Sequence, residues 1–320
     1  MMRVIPLLLA VALLCGCDSN ETYTKINLDK SFLATVNIKN TSLTFLDENY
    51  QRFASWDISE PFTGALLLAD KDTLLLYGKE MSTIEIFSLS AGKHINSWNS
   101  GKGIVNMLML EEDKGIVAVN QLNHSISFLD EEGKEQDRVR VGQSPLTVLQ
   151  GKQSHNLFVV NFGDTICSVI DLETKKVDRE FTIKSSSTGA LVREKNEEIW
   201  IGGHGEGKKV EENLYIYSTE TGKLKKRIKA ATMPIKFIEN NDGIFILSHG
   251  SSSLYKLNDK YEAIKSLVVG VNPFEMGNFK EDLIVAGYDS DEVYIVDTET
   301  MEVKKTAKVG EGPFQMLVRE

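Results

Sequence analysis

The chain has 320 residues and a formal net charge of −10, with 46 acidic side chains against 36 Lys and Arg side chains. An acidic surface repels phosphate backbones, so the composition argues against nucleic acid as a partner. No linker or low-complexity tract interrupts the chain, and one domain accounts for everything after a short N-terminal segment.

The N-terminal segment predicts export from the cytoplasm. Arg3 precedes an apolar run that is too short to span a bilayer, and small residues close the run. The residues Leu14-Cys15-Gly16-Cys17 resemble a bacterial lipobox, whose last cysteine receives lipid before cleavage. The resemblance implies removal of residues 1–16 and an anchor of diacylglycerol and palmitate on Cys17. An ordinary signal peptide with an incidental cysteine is the alternative.

This interpretation sets the domain boundaries and the location. Residues 1–16 are the lipoprotein signal peptide, residues 17–30 are a lipidated polar tether, and residues 31–320 are the folded domain. We expect a monomer on the extracytoplasmic face of the cell membrane, with the lipid bilayer as a partner through Cys17. Two acyl chains are enough for stable anchoring.

Seven units of about 40 residues follow along the chain. Every proline after residue 17 falls at one phase of this repeat, and Gly103 and Ser186 fill the two gaps between Pro61, Pro145, Pro234, Pro273 and Pro313. A period near 40 that reads as short strands is typical of propeller blades, because each small sheet can bury its faces only against neighbouring sheets. The predicted fold class is therefore all-β, a seven-bladed β-propeller.

Each unit has an apolar second strand about thirty residues before its corner. These strands are predicted at 33–37, 74–78, 116–120, 157–161, 199–203, 244–248 and 283–287. The chain ends in one more strand, 314–319, which has no blade of its own, whereas the first unit begins at its second strand. We therefore predict that the C-terminal strand pairs with the N-terminal blade, which removes exposed sheet edges.

The repeat also resembles a known family. The phrases Phe-Val-Val-Asn161 and Val-Ala-Val-Asn120, the strand ends Val-Ile-Asp171 and Ile-Val-Asp297, and the Val-Gly-x-x-Pro corners resemble the YVTN family of bacterial β-propeller repeats. The likeness covers nearly the whole mature chain. It implies an extracytoplasmic seven-bladed propeller, and it leaves the function open because the repeat residues are structural.

The residue after each second strand lies in a loop at one mouth of the ring. Across the seven units it is Ile38, Lys79, Gln121, Phe162, His204, His249 and Tyr288. Structural positions of the repeat keep one residue type, whereas this position varies, as a ligand-binding rim does. An unconstrained loop would vary in the same way. The phase of Cys167, in contrast, is aliphatic in all other units, so Cys167 is predicted to be a buried core residue.

Two rim residues are candidates for chemistry. His204 and His249 share one phase in adjacent units, and with Asp289 or Asp291 they are weak candidates for a metal or proton-transfer site. The alternative is that each histidine is merely tolerated in a Gly-rich turn. A c-type haem is excluded by the lack of Cys-x-x-Cys-His, and no cofactor is predicted. The long insertion 203–213, with three glycines and a charged tip, is either a contact element or a neutral insertion.

We therefore favour a binding or scaffolding lipoprotein, without catalysis, whose rim receives a protein, peptide or glycan of the cell envelope. One alternative is a metal-dependent hydrolase or lyase, or a lactonase-like enzyme, that uses the propeller mouth. The other is an accessory subunit of a membrane redox or assembly complex. No convincing Ser-His-Asp, paired-carboxylate or zinc spacing is present in the sequence.

Overall fold

The computed structural model describes residues 21–110, 115–151 and 153–320. Seven four-stranded antiparallel sheets and one two-stranded hairpin make up this part of the chain, which confirms the predicted seven-bladed β-propeller. Cys17 and the predicted signal peptide lie outside the described residues. No helix in the described ranges is long and apolar enough to cross a membrane.

The blades are numbered in chain order, and their strands are given from the centre outward. Blade 1 consists of β30 (Pro313–Arg319), β1 (Phe32–Asn37), β2 (Ser42–Leu46) and β3 (Arg52–Asp57). Blade 2 consists of β4 (Gly64–Leu67), β5 (Thr73–Tyr77), β6 (Thr83–Ser88) and β7 (Lys93–Asn99). Blade 3 consists of β8 (Ile104–Met109), β9 (Ile116–Asn120), β10 (Ser125–Leu129) and β11 (Glu135–Arg140).

Blade 4 consists of β12 (Pro145–Gly151), β13 (Asn156–Asn161), β14 (Ile166–Asp171) and β15 (Lys176–Thr182). Blade 5 consists of β16 (Ser187–Arg193), β17 (Glu198–Gly203), β20 (Asn213–Ser218) and β21 (Leu224–Lys229). Blade 6 consists of β22 (Pro234–Asn240), β23 (Gly243–Ser248), β24 (Ser253–Leu257) and β25 (Ala263–Val268). Blade 7 consists of β26 (Pro273–Phe279), β27 (Asp282–Gly287), β28 (Glu292–Val296) and β29 (Val303–Lys308). The remaining elements are β18 (Gly205–Glu206), β19 (Lys209–Val210) and two 3₁₀ turns at Glu194–Asn196 and His249–Ser251.

The burial of the strands explains why the sequence adopts blades. Second strands such as β9, with the sequence IVAVN, are buried along their whole length, because both faces pack against neighbouring blades. Outermost strands such as β21, with the sequence LKKRIK, are mostly exposed and charged. The innermost strands contact one another in sequence around the ring, from β4 to β30 and back to β4. All seven predicted second strands lie within one residue of the observed ones.

The ring closes in blade 1, as predicted. β30 pairs antiparallel with β1, and Leu33 lies opposite Val318. The Gln315 side chain then joins blade 1 to blade 2, because its oxygen accepts from the Ala65 N–H at 2.8 Å and its nitrogen donates to the Ala65 carbonyl at 3.0 Å. The first and last strands of the propeller therefore belong to one sheet, and every innermost strand that the structure describes is paired within a blade.

The two faces of the ring differ in their connections. The corner face holds the loops between second and third strands and the corners that lead into each next innermost strand, such as 141–145. The turn face holds the hairpins between first and second strands and between third and fourth strands, such as 47–51. Residues 21–31 lie between the outer parts of blades 1 and 2, where Ile26 is fully buried. The described part of the predicted tether is thus packed on the propeller.

Candidate functional site

The predicted rim residues lie on the corner face, at the ends of the second strands. Their side chains converge because each second strand pairs with an innermost strand, and the innermost strands enclose the centre of the ring. Ile38 is the exception, since its side chain packs against the core of blades 1 and 2. Lys79 and Gln121 are joined to each other, with the Lys79 ammonium donating to the Gln121 amide oxygen at 2.7 Å.

The other rim residues belong to a connected set of rings, which we call the aromatic arc. Its members are Phe162, His204, His249, Phe274, Phe314 and Tyr288. Neighbouring ring centroids are 6.4 Å apart for Phe162 and His204, 5.7 Å for His204 and His249, and 4.1 Å for His249 and Phe274. Phe274 then lies 5.4 Å from both Phe314 and Tyr288. The arc spans blades 4, 5, 6, 7 and 1.

Two members of the arc were not predicted from the sequence. Phe274 and Phe314 each follow the corner proline and begin an innermost strand. The equivalent residues of the other units are mostly aliphatic or aromatic, as core residues are. The sequence pattern therefore does not distinguish Phe274 and Phe314 from buried core positions. The sequence signal that could have found them is that the two phenylalanines occupy one phase in consecutive units, next to the unit of Tyr288. In the structure Phe314 is 36% exposed.

The two histidines of the arc are neutral hydrogen-bonding groups. Burial lowers the pKa of His204, and burial together with the neighbouring His204 lowers the pKa of His249. The Nδ1 atoms of both rings are buried and have no hydrogen-bond partner within the described ranges. At neutral pH each imidazole therefore holds a buried polar atom that no described group satisfies.

The carboxylates proposed to join them are engaged elsewhere. Asp289 accepts from the Lys39 ammonium at 2.8 Å and from the Asn272 amide at 2.8 Å, and Lys39 holds the pKa of Asp289 below its usual value. Asp291 accepts from the Gly312 N–H at 2.8 Å. Across the residues that the structure describes, no group of three or more His, Cys, Asp or Glu side chains is arranged to hold a metal ion.

A cavity of about 390 Å³ lies in the centre of the ring, next to the arc. His204, Phe274 and Phe314 line it together with aliphatic residues of the innermost strands. Its polar lining includes an ion pair between Lys236 and Glu275, with 2.6 Å between nitrogen and oxygen. The volume falls within the range of small-ligand sites, and the combination of apolar walls with a few polar groups is typical of them.

The insertion in blade 5 forms the hairpin of β18 and β19 beside this mouth. Glu206 pairs with Lys209, and the Glu211 N–H donates to the His204 carbonyl at 3.0 Å. The insertion, despite its three glycines, is thus a strand pair built on the loop of His204. Cys167 is fully buried as predicted, and burial raises the pKa of its thiol, which opposes a nucleophilic role.

No family model and no curated protein matches this chain. Solved structures do match it in fold. A functionally unknown protein from Desulfotomaculum acetoxidans DSM 771 is 12% identical, with a TM-score of 0.73 over 90% of this chain and 98% of that one. Kuenenia stuttgartiensis hydrazine synthase is 13% identical, with a TM-score of 0.71 over 88% of this chain and 99% of that one. The dihydro-heme d1 dehydrogenase NirN is 9% identical, with a TM-score of 0.66 over 95% of this chain and 78% of that one. At these identities the likeness shows a seven-bladed β-propeller and nothing about activity.

Proposed function

We propose that this chain is a membrane-anchored, extracytoplasmic propeller of the YVTN type that binds an envelope protein, peptide or glycan at the aromatic arc and catalyses no reaction. The observation that carries the proposal is the arc itself. Six rings from five blades form one connected surface at the mouth of a cavity, although they are far apart in sequence.

The chemistry of the arc suits recognition. Phe162 and Phe314 are each 36% exposed, so their ring faces and edges are available for stacking against an aromatic side chain or a sugar ring. The two imidazoles are neutral, so a ligand that covers them does not have to desolvate a charge. In the described part of the chain neither imidazole is hydrogen-bonded to a carboxylate, so a base oriented for catalysis is not formed.

In-cell cross-linking of the lipidated protein tests the proposal. A photo-activatable residue replaces Phe314 in the arc, and the matched control replaces Val303, which is 39% exposed on the outermost strand of blade 7. We expect a defined adduct from position 314, none from position 303, and loss of the adduct when Phe162→Ala and His249→Ala are added. Equal adducts from both positions, or an adduct that survives the two substitutions, would contradict binding at the arc.

A metal-dependent hydrolase or lyase remains a second candidate because the His204 and His249 rings are only 5.7 Å apart. Two imidazoles do not complete a zinc site, so this function needs a third ligand from a substrate or from rearrangement of Asp289. Metal analysis of protein purified without a chelator or a tag decides the question. A stoichiometric metal that is lost in His249→Gln supports the enzyme, whereas a metal-free protein that still forms the adduct supports binding alone.

A further inference from the structure

The described chain begins at a defined place on the turn face. The Tyr23 N–H donates to the Gly92 carbonyl at 2.7 Å, and Thr22 forms a bridge with Lys93. Gly92 ends the hairpin between the third and fourth strands of blade 2, and Lys93 begins its outermost strand β7. The N-terminal segment therefore leaves the propeller at the outer edge of the turn face, on the side opposite the aromatic arc.

This segment is attached to the propeller at several points. The Tyr23 ring stacks on Trp56 with 4.9 Å between centroids, and the fully buried Ile26 donates its N–H to the Leu89 carbonyl at 2.8 Å. The Arg319 guanidinium, at the end of the innermost strand β30, donates to the Lys30 carbonyl at 2.9 Å and to the Asn27 carbonyl. Residues 21–31 thus belong to the folded body and do not lengthen the tether.

The distance available to an anchor on Cys17 is therefore short. Four peptide steps separate Cys17 from Glu21, and a fully extended chain covers about 14 Å over four steps. An innermost strand of seven residues already spans roughly 23 Å, before the loops at both faces are added. A tether of this length, starting at the edge of the turn face, cannot reach past the corner face.

We propose that the lipid anchor fixes the orientation of the propeller, with the turn face towards the bilayer and the aromatic arc away from it. The inference rests on the lipidation of Cys17 in the proposed function and adds the direction of binding. The arc then faces partners in the envelope compartment, and a lipid or a neighbouring segment buried in the same membrane has no access to it.

The charges of the turn face are compatible with this orientation without direct lipid contact. Asp47, Asp130, Asp171 and Asp297 cap the outer hairpins by accepting backbone N–H groups. The Thr174 hydroxyl and N–H lower the pKa of Asp171, and the Thr300 N–H and hydroxyl lower the pKa of Asp297. The carboxylates of Asp171 and Asp297 therefore stay ionised and are repelled by anionic headgroups. Screening limits that repulsion to about 8 Å at physiological ionic strength, which is less than the reach of the tether.

Energy transfer to the bilayer measures the orientation. The full-length protein is purified from the membranes of expressing cells, where lipid blocks Cys17, and the buried Cys167 does not take label. A single dye is attached either at Ala69→Cys, on the turn face of blade 2, or at Lys102→Cys, on the corner face in the connection from blade 2 to blade 3. The acceptor is a headgroup dye in vesicles of phosphatidylcholine and phosphatidylglycerol.

We expect strong transfer from position 69 and severalfold weaker transfer from position 102, in vesicles with and without phosphatidylglycerol. Inserting a flexible Gly/Ser linker of about twelve residues after Asn20 adds roughly 20 Å of root-mean-square reach and should abolish the difference. Equal transfer from both positions with the natural tether overturns the orientation while the anchor stands. A difference that persists unchanged with the linker overturns the claim that the short tether fixes the orientation. If the protein does not co-sediment with vesicles, or if Cys17→Ser co-sediments equally well, the anchoring fails and the orientation fails with it.

Discussion

The two imidazoles at the mouth illustrate how one position of the repeat differs from the rest. Each follows a second strand, and the equivalent residues of other blades include Gln121 and Tyr288. Burial lowers the pKa values of His204 and His249, because the charged form is desolvated beside aromatic rings. Their phase predicted that they would come together, whereas only the structure shows that their Nδ1 atoms lack partners.

These pKa shifts predict a loss of stability in weak acid. A histidine whose folded pKa is lowered contributes stability that is present above the unfolded value of about 6.5, and this stability is lost as the pH falls from there towards the folded pKa. Urea unfolding from about pH 7.5 to about pH 5.5, the range in which histidine titrates, measures the effect. We expect the free energy of unfolding to depend less steeply on pH in the double variant His204→Gln/His249→Gln. Glutamine suits this position, since Gln121 occupies it in blade 3.

Replacement of an exposed histidine is the matched control. His94→Gln lies on the outermost strand β7, where its side chain is 43% exposed beside Glu85. This variant should keep the part of the pH dependence of the unfolding free energy that His204 and His249 cause. An acid slope of wild-type size in the double variant would show that the two buried imidazoles do not titrate as their surroundings indicate.

At the scale of the element, adjacent blades are joined by specific polar contacts as well as by apolar packing. Arg193 on β16 donates to Glu198 on β17 at 3.1 Å and forms a two-pronged pair with Glu239 on β22, at 2.7 and 2.9 Å. The Glu198 carboxylate also accepts from the Trp200 indole at 2.9 Å and from the Tyr261 hydroxyl at 3.0 Å. Blades 5 and 6 are thus linked around a buried carboxylate.

Removing the guanidinium should leave that carboxylate with only the more distant and partly exposed Lys225 ammonium, 3.8 Å away, as a charge partner. We expect Arg193→Ala to lower the free energy of unfolding by about 3 kcal/mol, the lower end of the cost of breaking a buried ion pair, because Lys225 still offsets part of the charge. Adding Glu198→Gln should recover a large part of the loss, since the amide oxygen still accepts from Trp200. Urea unfolding of the single and double variants measures the coupling free energy between Arg193 and Glu198.

An exposed ion pair provides the comparison for this prediction. Arg138 and Glu135 lie 2.6 Å apart on β11 with side chains 50% and 38% exposed. Arg138→Ala should change stability by no more than about 1 kcal/mol, because solvent screens such pairs. If Arg193→Ala were as mild as Arg138→Ala, the buried link between blades 5 and 6 would not be a determinant of stability.

For the whole molecule, the two chain ends stabilise each other at the closure. Arg319 is 2% exposed, its guanidinium lies 4.5 Å from the centroid of the Phe32 ring, and it donates to the Lys71 carbonyl at 2.8 Å and to the Lys30 carbonyl. One side chain from β30 therefore holds the N-terminal segment and the first hairpin of blade 2 together.

Arg319→Ala should weaken this closure. We expect a loss of about 1.5–3 kcal/mol, the range for hydrogen bonds made by a charged group, and faster proteolysis within residues 21–31. Arg140→Ala, an exposed arginine at the end of β11, is the control and should change neither. A protease-resistant N-terminal segment in Arg319→Ala would contradict the role of Arg319 in holding it.

The sequence by itself determined the blade count, the strand phases, the closure in blade 1 and the burial of Cys167. It could do so because each blade repeats one local apolar pattern that is satisfied only by stacking against its neighbours. It did not determine the aromatic arc through Phe274 and Phe314, the link around Glu198 or the docking of residues 21–31. Those features depend on side chains that ring closure and blade packing bring together from distant positions, as for Gln315 and Ala65, and no periodic pattern records such pairs. Only the tertiary structure therefore brings Phe274 and Phe314 into the arc and Gln315 to Ala65.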